Sequence, residues 1–368
     1  MAKKKPKIKR IGVLTGGGDC PGLNAVIRAV VKTGMLDYGV EAWGIMDGYD
    51  GLVCNNMVEL GYGDVSGILT QGGTILGTSN TAHPFKYVPP GGHPAQASDR
   101  SEDCVKNFRA AGLDVLFCIG GDGTLTIARQ LGDKGIPVVG VPKTIDNDLY
   151  GTDVTFGFDT AVHIVAEALD RLHTTAMSHH RVMIVETMGR YAGLLALVGG
   201  MAGGGDVILI PEIPYVLDRV CEAVTRRSLK GRRFSLIVVS EGVKCADGGY
   251  VVRERVEASH DQIRLGGIGP WLAEEIQNAT CLESRAVVLG HVQRGGTPTA
   301  YDRVLATRFG HEAVLQAARG NFVIMVGLHG ADVVPVPLTE IAGRQRLVEP
   351  GCKLVCAARS VGTRFGDE

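Results

Sequence analysis

Three features are missing from this sequence of 368 residues, and each absence excludes a class of protein. No stretch reaches the roughly 18 consecutive apolar residues that a membrane helix needs, so we predict no membrane partner. The nine cysteines include no Cys-x-x-Cys pair, which is typical of reduced thiols in a cytoplasmic protein. The net charge is only −1, which argues against a nucleic-acid partner.

The remaining composition is that of a globular protein with a full core. Hydrophobic residues make up 45% of the chain and charged residues 21%, while 52 glycines spread along it favour many tight turns. The first ten residues, MAKKKPKIKR, are basic, and no cleavable apolar segment follows them. We therefore predict that residues 1–10 form a disordered, solvated tail.

Short apolar runs alternate with helical patterns along most of the chain. Most of these runs are apolar throughout, which is typical of strands that are covered on both faces in a parallel sheet. The runs are 11–15, 41–46, 114–120, 136–141, 181–186, 206–210, 234–240, 285–290 and 323–327. The helical patterns cover 23–35, 104–112, 124–134, 158–176, 218–230, 271–277 and 302–319. This alternation predicts an α/β protein with two Rossmann-like, three-layer domains, each with a largely parallel sheet flanked by helices.

Glycine-rich turns follow two of the predicted strands. In open α/β sheets, ligands bind beyond the carboxyl ends of the strands. These turns are GGGDCPG (16–22) and GGDGT (120–124), and each leads into a helix whose first N–H groups favour an anion. The first turn is equally compatible with a plain tight turn. The second also places Asp122 where it can hold a phosphate-bound divalent ion.

A crowded pair of carboxylates follows a third predicted strand, in PKTIDND (142–148). Asp146 and Asp148 repel each other unless a metal ion or a proton to be moved balances their charge. A general base must lie beside the hydroxyl that it deprotonates, and Mg²⁺ takes carboxylates plus phosphate oxygens. One aspartate can act as the general base and the other can bind the metal ion.

Further polar residues follow the later predicted strands, namely Arg190, Glu241, His291 and Arg294. Arginine is suited to forked phosphate contacts, and a glutamate can accept hydrogen bonds from sugar hydroxyls. Each residue alone is compatible with an ordinary surface ion pair. Together they indicate a sugar-phosphate pocket that faces a nucleotide pocket.

Six motifs, in order along about residues 11–308, resemble those of the 6-phosphofructokinase family. They are GVLTGGGDCPGLNAVIR, GGDGT, PKTIDND, RVMIVETMGRYAG, SEG and LGHVQRGGTPTAYDR. The resemblance is strongest to the branch that mixes ATP-using and pyrophosphate-using members. It implies phosphorylation of fructose 6-phosphate at the 1-hydroxyl by Mg-ATP, to give fructose 1,6-bisphosphate and ADP, the committed step of glycolysis.

The resemblance also implies a domain organisation and an assembly. We expect a nucleotide-binding domain of 11–157 plus about 293–343, and a sugar-phosphate-binding domain of 158–292 plus about 344–368. In the family, the residues matching Arg181 and Arg285 reach the sugar phosphate of the adjacent subunit. This implies a cytoplasmic homo-oligomer with shared active sites.

Individual roles follow from the same resemblance. Asp146 is expected to be the general base, Thr144 and Arg190 to complete the catalytic set, and Asp122 and Asp148 to hold Mg²⁺. The residues expected to line the nucleotide phosphates are Gly17, Gly18, Gly121, Asp122, Gly123 and Thr124. The residues expected to bind substrate are Thr144, Asp146, Arg181, Met188, Gly189, Arg190, Glu241, Arg285, His291 and Arg294.

Two positions bear on the choice of phosphoryl donor. Pyrophosphate-using members carry Lys at the position of Lys143 and Asp at the position of Gly123. An aspartate at 123 would fill the space of the nucleotide α-phosphate and repel it, whereas glycine leaves room. We therefore predict ATP as the donor, with a pyrophosphate-dependent fructose 6-phosphate 1-phosphotransferase as the alternative.

Other readings fit less well. A nicotinamide dehydrogenase is disfavoured because GGGDCPG does not fit G-x-G-x-x-G, and a Walker-type NTPase because the dipeptide Gly-Lys never occurs. Lipid and NAD kinases share GGDGT but lack the other motifs. A non-catalytic, sugar-phosphate-binding regulator stays open, because Asn80 stands where ATP-using bacterial members usually have an arginine. Lys86 or another cation could replace that arginine.

Overall fold

The computed structural model describes residues 8–89, 91–246, 252–255, 263–341 and 343–368. In the part of the chain that it describes, no helix is both long and apolar enough to cross a membrane.

The elements alternate along the chain as the apolar runs predict. The strands are β1 (Arg10–Thr15), β2 (Glu41–Ile45), β3 (Met57–Leu60), β4 (Val115–Gly120), β5 (Val138–Pro142), β6 (Val182–Thr187), β7 (Val207–Leu209), β8 (Ser235–Ser240), β9 (Val252–Arg255), β10 (Ile263–Leu265), β11 (Ser284–Val288), β12 (Ile324–His329) and β13 (Asp332–Pro337). The α-helices are α1 (Leu23–Tyr38), α2 (Tyr49–Cys54), α3 (Ser101–Ala110), α4 (Asp122–Asp133), α5 (Phe158–His179), α6 (Leu194–Ala202), α7 (Leu217–Leu229), α8 (Ile268–Thr280), α9 (Ala300–Arg319), α10 (Leu338–Ile341) and α11 (Lys353–Ser360). Short 3₁₀ helices cover Ile68–Thr70, Pro84–Lys86, Pro94–Gln96 and Gly290–Arg294.

The first sheet has seven strands in the order β13-β12-β5-β4-β1-β2-β3. Its five inner strands are parallel, and the two edge strands β3 and β13 are antiparallel to their neighbours. Successive residues of β1 belong to different cores, since Val13 packs in one apolar cluster and Leu14 in another. This explains why the strands are apolar throughout: each of their faces is covered.

The second sheet has four parallel strands in the order β11-β6-β8-β7. An antiparallel pair, β9 and β10, stands apart from it. Arg364 bridges Val207 on the edge strand β7, so the last residues of the chain extend this sheet. The α/β class and the two largely parallel sheets flanked by helices are confirmed, with sheets of unequal size. The exact domain boundaries stay a prediction.

All nine predicted strands and all seven predicted helices are present in the structure. Of the predicted tail, residues 1–7 lie outside the described residues, whereas Arg10 begins β1 and its Nε donates to Glu41 at 2.8 Å. Helix α6 was not predicted, because its sequence LLALVGGMA is almost uniformly apolar and has two adjacent glycines. A methyl group on Gly199 would lie 2.6 Å from Val165, so this helix packs too closely for a side chain there.

Candidate active site

The loop after β5 carries the two crowded carboxylates, and Asp146 is only 6% exposed. Its Oδ1 atom has no hydrogen-bond partner among the described residues. The Asp146 N–H donates to Thr144 Oγ1 at 3.1 Å. Asn147 has φ 52°, and its Oδ1 accepts from the Thr155 N–H at 3.0 Å, which fixes the turn. A buried carboxylate oxygen without a partner is costly to keep, so it is a candidate functional group.

The charge around this loop favours proton transfer. Burial raises the pKa of Asp146, while the positive charges of Arg294, Arg190 and Lys143 oppose that rise. Burial, and then the charge of Asp146, raise the pKa of Asp148 to about 7. Both carboxyl groups therefore bind protons more tightly than an isolated aspartate does, because burial disfavours their charged forms.

The second glycine-rich turn leads directly into α4, which begins at Asp122. Thr124 is buried between this turn and the first one. A methyl group on Gly120 would lie 2.3 Å from Thr124 Cβ, and one on Gly16 would lie 2.7 Å from its Oγ1, so both positions require glycine. The first N–H groups of a helix have no partner within the helix. Those of α4, including that of Gly123, therefore offer an anion site.

Asp122 and Asp148 follow β4 and β5, which are neighbours in the sheet. Asp122 Oδ1 accepts from the Gly343 N–H at 3.0 Å. Across the described ranges, no group of three or more His, Cys, Asp or Glu is arranged to hold a metal. Magnesium usually binds through one or two carboxylates plus substrate phosphates. These two aspartates therefore fit a metal ion that arrives with a polyphosphate.

The first glycine-rich turn is bonded differently, because its first two N–H groups already have partners. The Gly16 N–H donates to Ile119 O at 2.9 Å, and the Gly17 N–H donates to Ser79 O at 3.1 Å. The Lys143 ammonium donates to the Gly18 carbonyl. Lys143 is buried, and this burial lowers the pKa of its ammonium. The turn thus presents a carbonyl to a cation, and only part of it is available to a phosphate.

Arg294 joins the two halves of the site. It ends the 3₁₀ helix after β11, and its Nη1 donates to Asp19 O at 3.1 Å. A methyl group on Gly18 would lie 2.6 Å from Arg294 Nη1. His291 lies in the same 3₁₀ helix and is exposed. The carboxyl end of the second sheet is therefore in contact with the first turn of the other sheet.

The loops after β6 and β8 are held together by one hydrogen bond. Gly189 and Arg190 have φ 139° and 50°, and the Arg190 N–H donates to Glu241 Oε1 at 3.2 Å. Burial, and then the charge of Asp146, raise the pKa of Glu241 to about 7. Met188 precedes these residues and packs against the core. Since Asp146 acts on Glu241 across the cleft, the predicted sugar residues face the predicted base.

Two of the predicted substrate residues are not brought to this cluster. Arg181 and Arg285 lie at the amino ends of β6 and β11, the opposite edge of the second sheet. Both guanidinium groups pair with Glu283 Oε1, at 2.8 Å and 2.6 Å. Within one chain they are therefore remote from the loops that follow these strands, and their predicted role requires a second copy of the chain.

Asn80 and Lys86 stand near the first turn. Asn80 follows Ser79, whose carbonyl accepts from Gly17, and its side chain is exposed. Lys86, which is exposed, ends a 3₁₀ turn further along whose first residue, Pro84, is buried. No described contact ties the Lys86 ammonium to either glycine-rich turn, and its replacement of the missing arginine stays a prediction.

Sequence reasoning missed two carboxylates that organise the site. Glu186, buried near the end of β6, accepts from the N–H groups of Gly267 and Gly269 at 3.0 and 2.8 Å and so fixes the start of α8. Glu212 Oε1 accepts from the N–H groups of Gly193 and Val348, both at 2.9 Å. An acidic residue that ends an apolar strand, as in RVMIVE, is the signal that could have identified the first. Nothing local identifies the second.

Comparison with known sequences places the motifs in a family. The family model described as phosphofructokinase matches residues 10–317. The chain is 51% identical over 369 residues to an ATP-dependent 6-phosphofructokinase of Chloroflexus aurantiacus, with 100% of both chains covered. It is also 53% identical over 345 residues to a pyrophosphate–fructose 6-phosphate 1-phosphotransferase of Amycolatopsis methanolica, with 93% of this chain and 96% of that protein covered.

Solved structures agree with the sequences. The phosphofructokinase from Saccharomyces cerevisiae matches 90% of this chain and 45% of its own, with 33% identity and a TM-score of 0.75. A pyrophosphate-dependent phosphofructokinase from Marinobacter aquaeolei has the same fold, with a TM-score of 0.80 at 22% identity over 97% of this chain and 88% of that one. Relatives with either donor in their names match this chain equally well, which confirms the predicted mixed branch. The chain belongs to the phosphofructokinase family.

Proposed function

We propose that this chain phosphorylates the 1-hydroxyl of fructose 6-phosphate with Mg-ATP, giving fructose 1,6-bisphosphate and ADP. The observation that carries the proposal is the buried Asp146, whose Oδ1 lacks a partner among the described residues and lies within the influence of three cations. Asp146 takes the proton of the hydroxyl while the hydroxyl oxygen bonds to the γ-phosphorus. The bond between that phosphorus and ADP breaks.

The donor half of the site is built from the second glycine-rich turn. The positive end of α4 faces the donor phosphates. The N–H groups that donate to them are those of Gly121, Gly123 and Thr124. Asp122 and Asp148 would hold Mg²⁺, which neutralises phosphate charge when it is bound. Gly17 and Gly18 line the same side, with the N–H of Gly18 as their contribution because that of Gly17 is already bonded.

The acceptor half is built from the second sheet. Glu241 accepts from the sugar hydroxyls, and Arg190 with Thr144 steadies the group in transfer. Arg294 and His291 bind the 6-phosphate, while Met188 and Gly189 shape the wall beside the sugar. Arg190 and Glu241 are already joined through a backbone hydrogen bond, so the two residues are positioned as one unit.

Assembly completes this site. Arg181 and Arg285 lie at the edge of the second sheet opposite to the acceptor loops, so they cannot reach the 6-phosphate site of their own chain. We propose that each pair serves the neighbouring chain of a cytoplasmic homo-oligomer, where it adds two positive charges to the 6-phosphate site. Glu283 pairs with both guanidinium groups and so holds them near each other, where they can share a phosphate.

ATP is the preferred donor in this proposal, and pyrophosphate is the second candidate. Lys143 favours the second candidate, because the resemblance associates a lysine there with pyrophosphate use. In this structure, however, its ammonium donates to the Gly18 carbonyl, so it has a role in holding the first turn that requires no particular donor. Gly123 leaves space that an aspartate would occupy, which supports ATP.

The direct test measures turnover with ATP and with pyrophosphate, at saturating fructose 6-phosphate and Mg²⁺. A coupled assay of fructose 1,6-bisphosphate formation should give the higher kcat/KM with ATP. Equal or faster turnover with pyrophosphate would establish the alternative donor. No product with either donor, despite measurable binding of fructose 6-phosphate, would instead favour the non-catalytic regulator.

A further inference from the structure

A segment that sequence analysis left without a role passes directly beside the donor half of the site. We name residues 343–348 the strap. At its start the Gly343 N–H donates to Asp122 Oδ1 at 3.0 Å. Further along, the Arg346 N–H donates to Asp148 O at 2.8 Å, and Gln345 bridges Leu149 in antiparallel register. The strap therefore touches both aspartates that the proposed function assigns to the metal.

The far end of the strap is firmly anchored. The Arg346 guanidinium donates to the Asp153 carbonyl, and the Val348 N–H donates to Glu212 Oε1 at 2.9 Å. Glu212 also accepts from Gly193, just beyond the Arg190 loop. The strap is thus fixed at one end to the second sheet and reaches Asp122 at the other.

Arg344 is the cation next to the strap's contact with Asp122. It follows Gly343 directly, it is exposed, and its guanidinium carbon lies 4.1 Å from the centre of the Tyr150 ring. Its Nη1 donates only weakly, to Glu340 O at 3.4 Å. Among the described residues, no carboxylate lies within ion-pair distance of Arg344. Its charge is therefore met only by a ring face and one long hydrogen bond to a carbonyl, and it remains available to an anion.

The donor half needs such a cation. Lys143 and Arg294 contact the first turn, but they already donate to the carbonyls of Gly18 and Asp19. Asn80 is neutral, and the second turn contributes the negative charge of Asp122. Apart from the metal ion and Arg190, a phosphate chain with several negative charges would otherwise meet only uncharged amide groups there.

We propose that Arg344 is a binding residue for the phosphate chain of the donor, held in place by the strap and by the Tyr150 ring. The proposal rests on the proposed function for the location of the donor. It extends the binding site to a part of the chain beyond all six motifs, and it adds a cation next to the strap's contact with Asp122.

The test compares Arg344→Ala and Arg344→Lys with the control Arg109→Ala, which removes another exposed arginine, in the last turn of α3. Binding of ATP and of pyrophosphate is measured by calorimetry without Mg²⁺ and without sugar, so no turnover is needed. We expect Arg344→Ala to weaken ATP binding ~10-fold and Arg344→Lys by roughly 3-fold, because a charge-assisted hydrogen bond is lost or loosened. The KM for fructose 6-phosphate should change less than about 2-fold.

The outcomes separate this proposal from the function on which it rests. Unchanged ATP binding in Arg344→Ala, or an equal loss in Arg109→Ala, overturns the role of Arg344 even if the enzyme is active. An equal rise in the KM of donor and acceptor also overturns it, since that pattern indicates a general disturbance. Weaker ATP binding in a chain that makes no fructose 1,6-bisphosphate supports Arg344 while refuting the proposed function.

Discussion

The two glycine-rich turns resemble each other in sequence but differ in how they are bonded. In the first turn, the N–H groups of Gly16 and Gly17 already donate to other carbonyls, and the Gly18 carbonyl accepts from the Lys143 ammonium. The second turn opens α4, and its leading N–H groups face outward from the helix start. Only the second is therefore a preformed anion site, whereas the first is a junction that positions cations from the rest of the molecule.

This difference shows what a run of glycines can and cannot indicate. It indicates that another group packs closely against the backbone, but it does not identify that group. At the second turn the glycine at 120 makes room for Thr124, and the N–H groups beyond it stay open. At the first turn the glycine at 18 makes room for Arg294. The four predictions below test this comparison, beginning with the largest expected effect.

Asp146→Asn removes the proposed base while leaving both turns intact. We expect kcat to fall by ~10²–10⁴, with little change in the affinity for either substrate, because only proton removal is lost. Steady-state kinetics and calorimetry test this. The control is Asp133→Asn at the exposed end of α4, which should behave like the unmodified enzyme. A mild loss of kcat would show that another group takes the proton.

Gly123→Asp adds a negative charge to the open turn. A carboxylate beside the donor phosphates should lower kcat/KM for ATP by ~10², because juxtaposed like charges cost several kcal/mol. Pyrophosphate provides the internal control, because it lacks the α-phosphate that the new side chain would displace. If the values for ATP were unchanged, donor phosphates would not approach this turn, and the distinction between the turns would fail.

A matched pair of variants, Gly18→Ala and Gly121→Ala, compares the turns directly. A methyl group at 18 would lie 2.6 Å from Arg294 Nη1, so Arg294 must move, and we expect the KM for fructose 6-phosphate to rise ~10-fold. A methyl group at 121 has its nearest neighbour, Lys143 O, at 3.4 Å, so the fold tolerates it. There we expect the KM for the donor to rise instead, by a similar factor. The reverse pattern would exchange the roles of the two turns.

Glu241→Gln changes a residue on the side of the cleft opposite to the two turns. Its expected effect, on stability, is the smallest of the four. The folded-state pKa of Glu241, about 7, lies above its ordinary value of 4.5, so the stability of the native enzyme falls as the pH rises through this window. The glutamine variant should be more stable by ~1 kcal/mol at pH 8, since it buries no charge, and the difference should vanish below about pH 4.5. Urea unfolding at several pH values measures this. A constant difference would exclude the titration as its cause.

The features that could be predicted from the sequence are those that depend on local residue patterns. The apolar runs located nine strands, and the rule that ligands bind at carboxyl ends then selected Asp122, Asp146, Arg190 and Glu241. Charge coupling between Asp146 and Glu241 agrees with that selection. Contacts between distant segments could not be predicted, because a single sequence does not determine which loops meet. Arg294 against Asp19 is one such contact, and Gly343 against Asp122 is another, 221 residues apart.

One carboxylate has a consequence for kinetics. Glu212 holds the backbone of Gly193, beyond the acceptor loop, and that of Val348, at the end of the strap. If either segment shifts when its substrate arrives, the shared anchor transmits the shift to the other. Saturation with the sugar should then change the apparent affinity for the nucleotide in a single protomer. This dependence of one substrate's affinity on the other should be lost when Glu212 is replaced by a residue that cannot accept these hydrogen bonds.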